Sequence, residues 1–213
     1  MTAPVWMGQL VAAVSSVSAA DLTRFPAPPD AEHRSAVLVL LGEQNGEPDV
    51  LLIERAHDMR SHAGQPAFPG GRVDPADVDA AATALREAEE ETGLDPGGVD
   101  VVAVLPDLFI PPSGFVVTPV LGWWQRPTPV HAKDPAEVAS VHRVPIAELA
   151  DPKRRCQVRH PSGFVGPAFE VRGLLVWGFT GGLVDRLIHL GGWEQPWSPG
   201  SRLVPLPDDP DRP

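Results

Sequence analysis

The segment that most constrains this chain is acidic: four of the five residues at positions 87–91 are glutamates. It lies within residues 79–92, a stretch rich in alanine, leucine and glutamate that is typical of a helix. Gly93 follows at the position where a left-handed residue commonly ends a helix, and Pro96 lies just beyond it. The sequence therefore predicts a helix that begins near residue 79 and ends at Thr92.

Three of these glutamates share one face of the predicted helix. At ~100° per residue, Glu87 and Glu91 lie about 40° apart and Glu90 falls about 60° to the other side of Glu87, whereas Glu89 points almost opposite. Like charges at this spacing destabilise a helix, and a hard divalent cation with oxygen ligands neutralises them. A solvated acidic face is the alternative for a bare acidic cluster. The context favours a metal site, because a tight glycine loop, Phe68-Pro69-Gly70-Gly71, lies upstream and can bring a backbone carbonyl to the same ions.

Composition narrows the class of ligand and the location of the protein. The formal net charge of −11 disfavours a nucleic-acid polymer as partner, since such binding rests on a basic surface. The apolar run at residues 11–20 is broken by serines and lacks a positively charged leader, so neither a signal peptide nor a membrane span is predicted. Cys156 is the only cysteine, which rules out an internal disulfide. We expect a cytoplasmic protein that binds a small anionic molecule.

The order of predicted elements indicates an α/β fold. Strand-like runs at residues 36–41, 49–55 and 99–105 flank the acidic helix, and further runs follow at residues 116–121, 140–144 and 174–178, with a last helix at residues 180–190. Strands, one central helix, more strands and a terminal helix are typical of an α/β/α sandwich built on a mixed sheet.

The ends of the chain differ in composition from its centre. Residues 1–30 are predicted to form a helical extension followed by a proline-rich linker, residues 31–193 the catalytic domain, and residues 194–213 a proline-rich tail. A homodimer is compatible with the sequence, which leaves the oligomeric state open.

The segment from Gly71 through Asp77 to residues 86–94 resembles the Nudix box, G-x5-E-x7-R-E-U-x-E-E-x-G-U. Its second half matches at every specified position. Its first half departs twice, because Asp77 stands where the pattern has glutamate and eight residues rather than seven separate it from Arg86. The resemblance implies Mg²⁺ or Mn²⁺ held by the Gly71 carbonyl, Glu87, Glu90 and Glu91. It also implies that Arg86 orients Glu87, and we expect Asp77 to anchor the loop and cap the helix start rather than bind metal.

Residues 51–71 are similar to the signature of the coenzyme A subgroup of that family, L-L-T-x-R-(S/A)-x3-R-x3-G-x3-F-P-G-G, with Ile53 as the one departure. Residues 111–120 and 137–141 also resemble that subgroup. The resemblance implies hydrolysis of coenzyme A to 4′-phosphopantetheine and adenosine 3′,5′-bisphosphate, and it leaves acyl esters of coenzyme A open as further substrates. Candidate cations for the extra 3′-phosphate are Arg55, Arg60 and His62, for which surface solvation and a loop hydrogen bond are the alternatives.

Three assignments stay open at this level. The general base is Glu87 in the helix or Glu137 on the segment before a later strand. The Ser113-Gly114 turn either exposes backbone donors to a phosphate or simply reverses the chain between strands. Trp123 and Trp124 either stack on adenine or pack in the core.

Two rival functions follow from the same sequence. The nearest is hydrolysis of another nucleoside diphosphate derivative, such as ADP-ribose, NADH or an oxidised nucleotide. The second is a non-catalytic module that senses a nucleotide. The intact Glu87, Glu90 and Glu91 argue against the second, because a pure binder need not retain three destabilising like charges.

Overall fold

The fold begins with a hairpin of two long strands, β1 (His33–Gln44) and β2 (Glu47–Arg55). Asn45 and Gly46 connect them with φ of 55° and 81°, the left-handed conformation that a two-residue hairpin turn of this kind requires.

The computed structural model describes residues 3–28, 31, 33–59, 62–111, 113–160, 163–198 and 202–206.

The remaining elements alternate short strands with a few helices. Before β1 lie a 3₁₀ turn (Val5–Met7), α1 (Gly8–Val14) and α2 (Ala19–Leu22). After β2 the chain forms β3 (Pro66–Ala67), β4 (Gly70–Arg72), α3 (Ala80–Thr92), a 3₁₀ turn (Pro96–Gly98), β5 (Val99–Val104), β6 (Leu108–Ile110), β7 (Phe115–Trp124), β8 (Val138–Pro145) and α4 (Ile146–Ala150). The last elements are β9 (Arg155–Arg159), β10 (Val165–Val171), β11 (Leu174–Val176), α5 (Gly178–Leu190) and β12 (Leu203–Val204).

Eight strands form the main sheet, and it is mixed. β1 and β7 run parallel at its centre, while β2, β4, β5, β6 and β8 pair antiparallel with their neighbours. Ala36, Leu38 and Leu40 point to one face, where they pack with Ala84 and Ala88 of α3. The opposite face packs against α1 and α5 in a larger apolar cluster. The predicted α/β sandwich with a mixed sheet is confirmed.

Both ends of α3 follow from its local sequence. Asp79 is the N-cap, and its side chain accepts a hydrogen bond from the Ala82 amide at 2.8 Å. Gly93 ends the helix with φ of 69°, in the left-handed conformation that glycine adopts without steric strain. The predicted helix is confirmed, but Asp79 occupies the cap that we had expected of Asp77.

The N-terminal extension packs on the main domain. Met7, Leu10 and Val14 are buried in the same apolar cluster as Leu183 and Leu187 of α5. This burial explains the helical spacing of apolar residues near the N-terminus. The division into an extension, a catalytic domain and a tail stays a prediction.

The structure contains a second sheet that the sequence analysis did not predict. It has four strands in the order β11-β10-β9-β12, and only β11 was expected. Within the described ranges, no helix is long and apolar enough to span a membrane.

Candidate active site

Arg86 is the centre of a network that joins the acidic helix to the glycine loop. Its Nη1 donates to Glu87 Oε1 at 2.8 Å and to Glu90 Oε2 at 3.1 Å. Its Nη2 donates to the Arg72 carbonyl at 3.0 Å, so the backbone just after Gly71 is held by the same side chain. Because Arg86 bonds both glutamates and the loop, it fixes the carboxylates relative to the glycines.

The glycines are required where they stand, because the carboxylates of α3 approach the loop closely. The Gly70 amide donates to Glu91 Oε2 at 2.9 Å, and Glu91 is buried. A Cβ at position 71 would collide with the carboxylate of Glu87. Gly71 therefore lets Glu87 lie directly against the backbone of the loop.

Burial changes the protonation of these two glutamates. It raises the pKa of Glu91 to about 8, although the Gly70 amide and the charge of Arg55 favour the ionised form. Burial also raises the pKa of Glu87, against the hydrogen bond from Arg86. The charge of Glu137 adds to both increases, so this residue, which precedes β8, lies near the two carboxylates.

The structure thus brings together most of the residues that the sequence singled out. Gly71, Arg86, Glu87, Glu90 and Glu91 lie in one cluster by direct contact or on adjoining turns of α3. Arg55, at the end of β2, and the exposed Glu137 lie close enough for their charges to affect the pKa of Glu91. The Arg55 Nε is buried without a hydrogen-bond partner in the described part of the chain.

The donor atoms of this cluster fit a divalent cation. Glu87, Glu90 and Glu91 each use one carboxylate oxygen in the bonds given above, and within the described ranges the second oxygen of each has no hydrogen bond. Hard oxygen donors are the ligands that Mg²⁺ prefers. Among the described residues, no three His, Cys, Asp or Glu side chains are already arranged to hold a metal ion. Glu90 in particular is paired with Arg86 and would have to turn toward a bound cation.

A model of the NUDIX domain matches residues 32–162 of this chain. The chain belongs to the Nudix hydrolase family. Two relatives are described as uncharacterized Nudix hydrolase NudL. The protein of Cronobacter sakazakii is 40% identical over 163 residues, which cover 73% of this chain and 81% of that protein. The protein of Escherichia coli strain K12 is 37% identical over 162 residues, with the same coverage of both chains.

The fold comparison agrees with this assignment. The crystal structure of RenU, a Nudix hydrolase from M. smegmatis, matches with a TM-score of 0.50 at 18% identity, over 76% of this chain and 86% of that one. The expectation that the protein is a hydrolase of phosphoanhydride bonds is confirmed by the family. Nudix hydrolases act on small nucleotide substrates and generally need divalent ions such as Mg²⁺ or Mn²⁺.

The raised pKa of Glu91 predicts how the stability of this Nudix domain depends on pH without metal. The folded state holds the Glu91 proton more tightly than the unfolded chain, whose pKa is near 4.5. The contribution of Glu91 should therefore become less favourable as the pH rises from about 4.5 to about 8, and stay constant above that. Urea unfolding in EDTA at pH 5, 6.5 and 8 should show a steeper loss of stability in the wild type than in Glu91→Gln. Identical slopes in the two proteins would contradict the assignment.

Asp77 has one of the two roles expected of it, since it anchors the loop but does not cap α3. It pairs with Arg86 through two bonds, Nε to Oδ1 at 3.1 Å and Nη2 to Oδ2 at 3.0 Å. Its Oδ2 also accepts from the Thr83 hydroxyl and from the Asp74 amide. The hydrogen bonds from Arg86 hold the pKa of Asp77 well below its usual range. Asp77 thus anchors the loop as expected. It does so through the arginine of the Nudix helix, which it reaches despite its short side chain and the longer spacer.

This pairing predicts a larger effect of Asp77→Asn than capping alone would give. An amide cannot supply two anionic acceptors to Arg86, so Glu87 would lose its fixed orientation and activity should fall roughly 10-fold. Raised Mn²⁺ should not restore it. Asp79→Ala is the matched control, because it removes the true N-cap at a cost of about 1 kcal/mol while leaving the Arg86 network intact. Steady-state rates and thermal melts of both variants test this. Full activity in Asp77→Asn, or rescue by Mn²⁺, would refute the positioning role.

The structure places three of the four remaining candidates, Ser113, Gly114 and His62. The amides of Ser113 and Gly114 both donate to the Ile110 carbonyl, at 3.2 and 2.9 Å, which favours chain reversal between β6 and β7 over donation to a phosphate. His62 is exposed, and its Nδ1 lies 3.0 Å from Gln65 Oε1, which is the loop hydrogen bond. Arg60 lies outside the described residues.

The tryptophans serve packing. Trp124 is 1% exposed in the core beneath α3, and Trp123 packs edge-on against Trp6 of the N-terminal extension, with ring centroids 5.6 Å apart. Stacking on adenine is therefore not their role.

Sequence reasoning missed a polar cluster at the end of β2 and the start of β8. The Ser140 hydroxyl lies 2.6 Å from both Glu54 Oε2 and His142 Nε2, and His57 lies 3.4 Å from the other oxygen of Glu54. These residues fasten β8 to β2 close to Glu137. The alternation of side chains along a strand could have placed Glu54 and Arg55 on opposite faces, but the pairing of β2 with β8 is not visible in the sequence.

Proposed function

We propose that this Nudix hydrolase cleaves coenzyme A, and acyl esters of it, to 4′-phosphopantetheine and adenosine 3′,5′-bisphosphate. The observation that carries the proposal is the position of two residues of the segment that resembles the coenzyme A signature. The charge of Arg55 acts on Glu91, and Gly71 lies against Glu87. Residues of this segment that lie at the carboxylates are well placed to contact the substrate.

The carboxylates and the Gly71 carbonyl would hold the divalent cations, with Glu87, Glu90 and Glu91 as side-chain ligands. Bound there, Mg²⁺ or Mn²⁺ would neutralise the bridging phosphates and lower the pKa of a water. Arg86 keeps Glu87 in place, while Asp77 keeps Arg86 in place. The general base is Glu87 or Glu137. Glu137 is the more accessible of the two, because it is exposed and precedes a strand that borders the site.

Binding of the anionic substrate falls to the cations of the glycine-loop segment. Arg55 is half-buried, its charge acts on Glu91, and its Nε has no hydrogen-bond partner among the described residues, so its guanidinium is a candidate donor to a phosphate oxygen. Arg60 is proposed to pair with the 3′-phosphate. His62, Ser113 and Gly114 are proposed as further contacts with the substrate. A cytoplasmic location and a homodimer remain predictions.

Product identification tests the proposal directly. The protein is incubated with coenzyme A, acetyl coenzyme A, dephospho-coenzyme A, NADH and ADP-ribose, each with and without Mg²⁺, and the products are identified by mass spectrometry. We expect Mg²⁺-dependent release of 4′-phosphopantetheine and adenosine 3′,5′-bisphosphate from coenzyme A. Preference for ADP-ribose or NADH would replace coenzyme A by another nucleoside diphosphate derivative. Binding without hydrolysis of any substrate would make the protein a sensor.

The role of Arg60 can be separated from the rest of the site. If Arg60 pairs with the 3′-phosphate, Arg60→Ala should lower kcat/KM for coenzyme A more than kcat/KM for dephospho-coenzyme A. The difference should correspond to about 1.5–3 kcal/mol, the contribution of a charged hydrogen bond. The comparison uses kcat/KM for the two substrates. Equal losses of kcat/KM for the two substrates would show that Arg60 contacts the pyrophosphate or has a structural role instead.

A further inference from the structure

Three side chains converge at the start of β1 and β7, and we refer to His33, Phe115 and Arg72 as the aromatic platform. The His33 and Phe115 rings are stacked, with centroids 5.3 Å apart and an interplanar angle of 28°. The Arg72 guanidinium lies over the Phe115 ring, 5.0 Å from its centroid. Neither the sequence motifs nor the carboxylate cluster accounts for this arrangement.

Strand alternation places the platform on the sheet face opposite to α3. Ala36 points toward α3, so His33 and Ser35 point to the other face. Phe115 pairs with His33, and Arg72 pairs with Ser35, which puts both on that same face. Gly71 pairs with Ala36 and faces Glu87 instead.

The platform is directly connected to the carboxylate cluster. Arg72 follows Gly71, so their Cα atoms are about 3.8 Å apart. The Arg72 carbonyl is bonded to Arg86 Nη2 at 3.0 Å. In the described part of the chain β4 pairs only with β1, which leaves its outer edge without a strand. A ligand that contacts both the carboxylates and the platform would have to cross this edge, where Glu91 and Arg86 already bond the backbone of β4.

The chemistry of the platform suits a flat, π-bearing group. Arg72 and His33 are exposed and Phe115 is half-buried. Arg72 has no ion-pair partner among the described residues, whereas the neighbouring Arg34 pairs with Asp107 at 2.9 Å. Aromatic rings and guanidinium planes are the groups on which proteins stack nucleobases.

We propose that the aromatic platform is the nucleobase subsite of the enzyme, on which the base of the substrate stacks while its diphosphate lies at Glu87 and Glu91. The inference rests on the proposed function in one respect only, namely that the substrate is an adenine nucleotide. It gives the adenine a binding site that the buried Trp124 and the packed Trp123 do not provide.

Calorimetric binding of AMP and of ribose 5-phosphate tests the subsite, because ribose 5-phosphate carries a hydroxyl group where AMP carries the base. Phe115→Leu, which keeps apolar bulk but removes the ring, should raise the Kd for AMP about 10-fold and leave that for ribose 5-phosphate unchanged. Arg72→Lys keeps the charge but not the plane, and should also raise the Kd for AMP selectively. Arg34→Ala is the matched control for an arginine beside the platform, and we expect it to bind AMP as the wild type does.

Three results would overturn the subsite. They are wild-type AMP affinity in Phe115→Leu, an equal loss for both ligands, and a wild type that binds ribose 5-phosphate as tightly as AMP. Thermal melts confirm that each variant is folded. The coenzyme A assignment is judged separately, from the products that the wild type releases. Failure of that assignment with selective AMP loss in Phe115→Leu would leave the subsite standing.

Discussion

Glu90→Gln and Glu91→Gln should each lower the rate of hydrolysis at saturating Mg²⁺ by at least ~100-fold, because each removes an anionic ligand from the proposed metal site. Folding should be preserved. Glutamine at position 91 can still accept the hydrogen bond from the Gly70 amide, and at either position the substitution relieves repulsion between like charges on the helix.

Glu89→Gln is the matched control for this pair. It makes the same change of charge on the same helix, but Glu89 is exposed and its side chain points away from the other three glutamates. Its rate should stay within about 2-fold of the wild type. Steady-state rates across a Mg²⁺ titration, with thermal melts, measure all three variants. Near-full activity in both Glu90→Gln and Glu91→Gln would show that the carboxylates do not hold the metal.

Gly71→Ala should lower kcat by about 100-fold although the substitution adds a single methyl group. That methyl would collide with the Glu87 carboxylate, which must then move away from the loop and from Arg86. Displacing a catalytic group by about 1 Å is enough for a loss of this size. Because the colliding atoms belong to the end of a flexible side chain, the domain should still fold.

Gly182→Ala in α5 controls for the loss of a glycine, since a Cβ there meets no atom within 4 Å. We expect wild-type activity for Gly182→Ala. Gly70→Ala gives a contrast of another kind, because its Cβ would collide with the backbone carbonyl of Ala36, and this variant should be impaired in folding. Wild-type kcat in Gly71→Ala would show that the approach of Glu87 to the loop has no part in catalysis.

The carboxylate cluster shows how far local sequence reaches. The helical period placed Glu87, Glu90 and Glu91 on one face, and Gly93 marked the end of α3, because these features depend only on residues within a few turns of each other. The glycine loop was predicted to approach the acidic helix. Only the tertiary structure decided that Gly70 bonds Glu91 and that Gly71 borders Glu87, since the path between loop and helix is not regular.

Where two interpretations of one residue were open, contacts far along the chain chose between them. Asp77 and Asp79 are both suited to capping a helix. In the structure Asp79 is the N-cap of α3, whereas Asp77 pairs with Arg86. The sequence left Trp123 as a candidate for stacking on adenine, but in the structure it packs against Trp6, which lies 117 positions earlier in the chain. The strands β3, β4 and β6 have two or three residues each, too short for a period of two to be recognised.

The sequence by itself determined the acidic helix, its ends, the α/β class and the family, because a box of closely spaced residues and a local hydrophobic period carry that information. The tertiary structure alone decided which distant side chains meet. His33, Arg72 and Phe115 come together because β1 lies between β4 and β7, and no pattern in the chain states that order of strands. The pKa of Glu91 likewise depends on burial under the loop, which residues far from α3 provide.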